Sequence, residues 1–177
     1  EPKAVNRDYY NFTMDIQTPK LSVSYKLEGM EDGKKRVYAE WCIRMMLDAI
    51  FSPLNKEYQK WMDEGIINDF VGCDIDLGKD YGVLLFYGET SRKEDFLKIV
   101  DASFDKIRHG EIQEELLQQL KRRYFGQSVR SLNSFDDIAI TFVRNYFDNS
   151  DFFSSFDILD KITLEDIKEY CRTLDKT

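Results

Sequence analysis

The spacing of apolar residues changes part-way along this chain, from a period of two to about 3.6, and this change restricts the fold more than any other feature. Apolar and polar residues alternate over 11–17 and 21–27, which predicts two half-buried strands interrupted at Thr18–Pro19. Two β-prone runs, 66–77 and 82–87, are joined by a short glycine-bearing connection. They predict an antiparallel pair.

Helical spacing governs the rest of the sequence. Gly29–Arg36 is charged and predicts an exposed loop, after which Val37–Phe51 spaces its large apolar residues as a largely buried helix does. Ser52–Pro53 is a start signal for a shorter helix ending at Gly65. The next predictions are a helix capped by Gly110 and a long helix over 111–132. A helix from Ser134 follows, with Ile138, Phe142 and Tyr146 on its inner face. The last predictions are a short helical or turn segment over 151–160 and a helix from a Thr163–Asp166 capping box.

This order of elements predicts an α+β fold, a two-layer sandwich in which helices pack on one face of an antiparallel sheet. The 177 residues suit one domain spanning 1–177. The chain starts at Glu1–Lys3 without an initiator Met, so we expect a segment excised from a longer polypeptide.

Charge and hydropathy exclude several classes of partner. The net charge is −8, with acidic and basic residues interleaved, which argues against nucleic acid as a partner. No run approaches the roughly 18 apolar residues of a membrane helix, and the first residues lack the layout of a signal peptide. We therefore expect no membrane association and a cytoplasmic location.

The cysteines and the single histidine limit the chemistry. Cys42, Cys73 and Cys171 are odd in number and far apart in apolar stretches, which favours reduced core thiols over a redox or metal role. One histidine excludes the HxxEH and HExxH zinc motifs, because both need two. His109 lies at a predicted helix end, where it complements the helix dipole, and we expect neither catalytic nor metal-binding residues in this chain.

The only compact basic cluster is Lys121–Phe125, with Arg130 and Arg144 downstream. One interpretation is a solvated helix face paired with acids such as Glu114–Glu115 or Asp136. The other is a wall that holds peptide backbone or a carboxylate, which arginine contacts in a bidentate manner.

Several stretches resemble one family. Met45–Ser52, continued by Glu57–Ile67, resembles the insulinase-type (pitrilysin, or inverzincin) zinc metallopeptidases, in which a helix leads through a turn to S-x-x-Y-x-x-L-x-x-E-G-L. Tyr81–Gly88 resembles the strand that follows. Leu116–Tyr124 resembles the family's E-L-x-x-x-K-x-x segment, and Ile162–Ile167 resembles its closing T-x-E-D-I signature. The bacterial cytoplasmic branch is the most similar.

The resemblance implies a fold and a role. Proteins of this family are built from halves, each with two homologous α+β domains, that close around a peptide, with zinc in the first domain. This chain would then be the non-catalytic C-terminal domain of a half, with zinc in the catalytic domain of the parent or of a partner and no cofactor of its own. Its partners would be the missing N-terminal catalytic-type domain, a second subunit and a peptide substrate.

The implied function is to enclose and position a peptide for a catalytic domain elsewhere, through strand-edge pairing and apolar pockets. The candidate peptide contacts are Tyr81, Phe86, Tyr87, Arg123, Tyr124 and Arg130. The sequence leaves open which strand lies at the edge. It also leaves two alternatives: a structural or assembly module of an inactive family member, and an unrelated small-molecule enzyme that uses acid pairs such as Asp136–Asp137.

Overall fold

The computed structural model describes residues 5–147, 149 and 151–174, so the Glu1–Lys3 start lies outside the described residues. Within these ranges the chain forms three strands and seven helices. They follow in the order β1 (Lys20–Leu27), α1 (Gly33–Ile50), α2 (Tyr58–Asp63), β2 (Gly72–Leu77), β3 (Gly82–Glu89), α3 (Lys93–His109), α4 (Glu114–Ser131), α5 (Phe135–Phe147), α6 (Ser154–Lys161) and α7 (Leu164–Arg172).

The sheet is antiparallel with the order β1-β3-β2, so β3 is central. Along β3, Leu84 and Phe86 are fully buried against the helices, whereas Tyr87 on the opposite face is exposed. This alternation follows from the pleat of the strand, which the sequence predicted here as a β-prone run. The predicted α+β fold, with helices on one face of an antiparallel sheet, is confirmed.

Aromatic packing holds β3 against α3 and the end of α1. The Tyr25 ring stacks on Phe104 at 4.0 Å between centroids and meets Phe86 edge-on at 6.2 Å. Phe51 contacts the Phe86 ring from the other side at 5.0 Å. Such pairs stabilise a core beyond the area they bury, so the position of β3 is firmly fixed.

The helix ends follow local capping signals. Gly110 ends α3 in the left-handed conformation (φ 63°), and Thr163 forms a capping box with Asp166, both as predicted. Helix α1 begins earlier than predicted, at Gly33, because the Asp32 side chain accepts a hydrogen bond from the Lys35 amide at 3.1 Å. The predicted loop over 29–36 is therefore partly helical.

Two sequence predictions are wrong. The alternating segment 11–17 is not a strand, and its apolar side chains are exposed; a strand needs a pairing partner, and β1 pairs with β3 instead. In α5, Phe142 and Tyr146 are exposed rather than facing inward. Periodicity predicts an apolar face but not what covers it. Of the helices described, none is long and apolar enough to cross a membrane.

Candidate functional site

The face of the sheet turned away from the helices carries a mixed surface. Tyr87 lies on it beside Ser22 of β1 and Gly72 of β2, its partners across the two ladders. A Cβ atom at Gly72 would overlap the Tyr87 side chain, so the glycine leaves room for the ring. Phe86 points the other way and is fully buried, so it supports this surface from beneath.

The ladder fixes which backbone groups face outward at each edge. In an antiparallel pair each residue directs its N–H and C=O to the same side, and successive residues alternate. The Pro19 carbonyl accepts a hydrogen bond from the Thr90 amide at 3.0 Å. The pairing of β1 with β3 therefore turns the backbone groups of Lys20, Ser22, Ser24 and Lys26 away from the sheet.

Helix α1 covers the outer edge of β2. The Ile75 carbonyl accepts a hydrogen bond from Arg44 Nη2 at 3.1 Å, and the Ile75 amide donates to Asp74 Oδ1 at 2.8 Å. Arg44 also pairs with Asp74 at 2.8 Å and with Glu40 at 3.1 Å. Burial raises the pKa of the Glu40 carboxyl, against the opposing effect of Arg44. Both outward groups of Ile75 are thus occupied from within the chain.

The β1 edge is different. Among the described residues, no strand pairs with β1 on its outer side. The positions whose backbone groups point outward carry two lysines and two serines, and lysine at an edge also discourages strands of other chains from pairing indiscriminately. β1 is therefore the edge at which outward backbone groups, such as those of Ser22 and Ser24, meet an added strand.

The basic cluster of α4 is tied to α1. Tyr124 is buried, and its hydroxyl donates to Asp48 Oδ2 at 2.6 Å. Arg123 Nη1 lies 3.2 Å from the same carboxylate oxygen, and the Trp41 ring meets Tyr124 edge-on at 4.9 Å. Burial and the Asp48 hydrogen bond raise the pKa of the Tyr124 hydroxyl. The acid that pairs with this cluster lies on another helix, not at the predicted positions 114, 115 or 136.

The six sequence candidates do not come together. Tyr81 lies in the connection between β2 and β3 with its hydroxyl 3.1 Å from Asp76, and Arg130 is exposed in the last turn of α4. Sequence reasoning missed the polar stripe Glu40, Arg44 and Asp48 on α1. Its spacing of four residues was the available signal, because such residues share one helix face.

A cleft of about 570 Å³ lies beside this stripe. It is lined in part by Trp41, Arg44 and Tyr124, and by Thr141 and Arg144 of α5. Asp74 of β2 also lines it, so the cleft and α5 lie on the β2 side of the sheet. β1 forms the opposite edge.

Comparison with known proteins connects this fold to peptidases, although no protein-family model matches the chain. The uncharacterized zinc protease YmfH of Bacillus subtilis is 27% identical over 170 residues, covering 95% of this chain and 39% of that protein. An M16-like peptidase structure from Alicyclobacillus acidocaldarius superposes with a TM-score of 0.78 at 21% identity, over 89% of this chain and 38% of that one. The resemblance to the insulinase-type family is confirmed.

A further solved structure is similar to this chain over most of its length. The inactive peptidase domain of a zinc protease from Bordetella parapertussis has a TM-score of 0.65 at 9% identity, covering 91% of this chain and 89% of that one. By contrast, the chain spans only 39% of the curated relative it matches. The likeness therefore concerns a peptidase-family domain.

Among the described residues, this chain has no evident donor set for zinc. Its sequence has one histidine, and within the described ranges no group of three or more His, Cys, Asp or Glu residues could hold a metal. His109 Nδ1 lies 2.6 Å from the Asp105 carbonyl oxygen within α3. The three cysteines are free, and burial raises the pKa of both Cys73 and Cys171 to about 12. Thiols held protonated in this way are poor nucleophiles and poor ligands.

Proposed function

We propose that this chain is a non-catalytic domain of a longer, zinc-dependent peptidase, and that it holds an extended stretch of the peptide substrate along the outer edge of β1. The observation that carries the proposal is the row of outward backbone groups on β1, beside which the described residues place no strand. A peptide added there gains main-chain hydrogen bonds whatever its sequence. This suits a domain that aligns substrates for a catalytic centre elsewhere.

The side chains at this edge do not by themselves select the charge of a peptide. Ser22 and Ser24 lie between two lysines, and Lys20 pairs with Glu89 at 2.9 Å, so the proposal assigns the peptide no preferred charge. Tyr87 lies on the open face with its ring over Gly72 of β2, on the side away from β1, so this proposal gives it no contact with the added strand. Arg123 and Tyr124 have a supporting role in this proposal, because they join α4 to α1.

Zinc and the general base belong, in this proposal, to the catalytic domain of the parent or of a partner subunit. The single histidine of this chain supports that division. The free cysteines favour a reducing compartment such as the cytoplasm, although one similar structure is the first half of the periplasmic protease PqqL from Escherichia coli.

The proposal is tested by adding a fluorescent ten-residue peptide to the 177-residue chain and measuring anisotropy. One version of the peptide carries N-methyl groups at alternate residues, and a second version carries them at every residue. We expect the fully methylated peptide to bind at least ~10-fold more weakly because it has no backbone N–H to donate, and the alternately methylated peptide to bind nearly as the parent peptide does through its free edge.

The matched protein variants are Ser24→Pro, which removes an outward N–H from β1, and Ser52→Ala, distant from that edge. Ser24→Pro should abolish binding and Ser52→Ala should not. Equal binding of both methylated peptides would contradict edge pairing.

The second candidate function is a structural or assembly module of an inactive protein. The similarity to the inactive peptidase domain from Bordetella parapertussis favours it. It predicts no peptide binding in the anisotropy assay, and neither zinc nor peptidase activity in the full-length parent.

A further inference from the structure

Helix α5 carries an extensive exposed apolar surface, here called the α5 surface: Phe135, Ile140, Phe142, Val143, Tyr146 and Phe147. Its four aromatic side chains are 60–90% exposed, and no residue of the helix is buried. The polar residues Asp137, Thr141 and Arg144 line the cleft instead, so the apolar face of the helix is turned away from its own domain. An amphipathic helix normally turns its apolar face toward a core.

The α5 surface is large enough to form the centre of an interface. Residues 135, 142 and 146 follow one another at helical spacing, as do 140, 143 and 147, and the rings of Tyr146 and Phe147 meet edge-on at 5.8 Å. At roughly 150 Å² per aromatic side chain and 60–90% exposure, the four rings expose roughly 450 Å², about half of the ~800 Å² that one partner contributes to a specific complex. Patches of this size mark interaction sites.

A lipid bilayer does not fit this surface. The helix has 13 residues, about 20 Å in length, against a hydrocarbon core of ≈ 30 Å. Helices that lie on membranes carry Lys and Arg on their polar face, whereas α5 has two aspartates, Asp136 and Asp137, and one arginine, Arg144.

The known relatives point to a protein occupant within the same polypeptide. YmfH and the Alicyclobacillus structure align with 95% and 89% of this chain, yet the chain covers only 39% and 38% of them. In both, a fold like this one is accompanied by more than its own length of further chain. Permanent interfaces are the more apolar class, which suits a companion that never leaves better than a peptide that exchanges.

We propose that the α5 surface is the docking face for the companion part of the parent protein, on the side of the sheet opposite the β1 edge. The inference rests on the proposed function in one respect, that the chain is one domain of a longer protein. Docking through α5 leaves β1 open, because α5 lies on the β2 side. One domain can therefore be held by its neighbour and still pair with a substrate.

The test is thiol labelling of Tyr146→Cys in the full-length parent and in the 177-residue chain, with the labelled site read by mass spectrometry. The native cysteines give a low background, because Cys42 and Cys171 are buried. We expect Tyr146→Cys to label readily in the short chain and at least ~10-fold more slowly in the parent. Phe70→Cys, an exposed aromatic site before β2, is the control and should label equally in both.

Val143→Cys, a smaller change on the same surface, repeats the measurement in case loss of the Tyr146 ring loosens the contact. Equal labelling of both variants in the two proteins overturns the proposal. So does protection that appears in the parent only when peptide is added, or protection of the short chain that grows with its concentration, which would indicate a second copy. Protection of Tyr146→Cys in the parent without added peptide does not depend on binding at β1, so the two proposals fail separately.

Discussion

At the β2 edge of the sheet, Arg44 binds the outward carbonyl of Ile75 and Asp74 binds its amide. At the β1 edge, by contrast, no described strand lies on the outer side. Both strands are outermost in the same sheet. The difference comes from α1, which packs beside β2 and supplies the guanidinium that reaches over its edge. An edge occupied in this way resists the addition of a strand, so α1 gives the sheet a single open side.

The largest effect is expected from prolines at adjacent positions of β1. Val23→Pro removes an N–H that points to β3, and should lower the free energy of unfolding by about 3 kcal/mol or more. Ser24→Pro removes an N–H that points outward and should cost less than about 1 kcal/mol. Urea denaturation followed by circular dichroism measures both. Equal losses would show that the backbone of β1 is turned differently.

Arg44→Ala should have the next largest effect, about 2 kcal/mol, because it leaves the Ile75 carbonyl and two carboxylates without their cation. Lys20→Ala at the other edge is the matched control. Its ion pair with Glu89 spans 2.9 Å but the lysine is 69% exposed, so a change within about 0.5 kcal/mol is expected. A loss as large at Lys20 as at Arg44 would remove the contrast between the edges.

The labelling rate of Cys73 tests whether Arg44 keeps the β2 edge closed. Burial raises the pKa of Cys73 to about 12, so at pH 8 its thiolate is scarce and labelling of the folded chain should be slow. Arg44→Ala should accelerate labelling of Cys73 on β2 by roughly tenfold through local opening of that edge. Cys171 on α7, with a pKa also raised to about 12, should be unaffected. Acceleration at both cysteines would indicate global loosening instead.

The smallest effect is a pH dependence at Glu40. Burial raises the pKa of this carboxyl in the folded chain, so the folded state holds the proton more tightly than the unfolded state does. Its contribution to stability is then complete below the unfolded pKa, ~4.3, and declines as the pH rises through the higher folded value. Glu40→Gln should flatten that decline in unfolding midpoints measured from pH 4 to 7, and Glu31→Gln should not.

Local signals in the sequence were sufficient for much of this fold. The strand pair around residues 78–81, the Gly110 cap and the Thr163 capping box depend on neighbours in the sequence, and they were predicted correctly. The sheet order and the reach of Arg44 to Ile75 depend on contacts between distant residues, which periodicity does not encode. Asp48, four residues beyond Arg44, was overlooked for the same reason, since its partners lie on α4.

The errors at 11–17 and α5 have a common physical origin. Both segments have patterns that suit a buried surface, yet their apolar side chains are exposed in this chain. A pattern records that a residue is adapted to burial without recording which polypeptide buries it. For α5, the docking proposal supplies that polypeptide.

The place of α7 has a consequence for how the protein is made. Ile167, Cys171 and Leu174 lie in the same core as Phe86 and Phe104, so that core lacks part of its wall until about residue 174 has left the ribosome. During synthesis the earlier strands and helices therefore expose apolar surface until α7 is made. Chaperones bind nascent chains in that state. Translation that stalls just before α7 should leave a chain that partitions to chaperones and proteases.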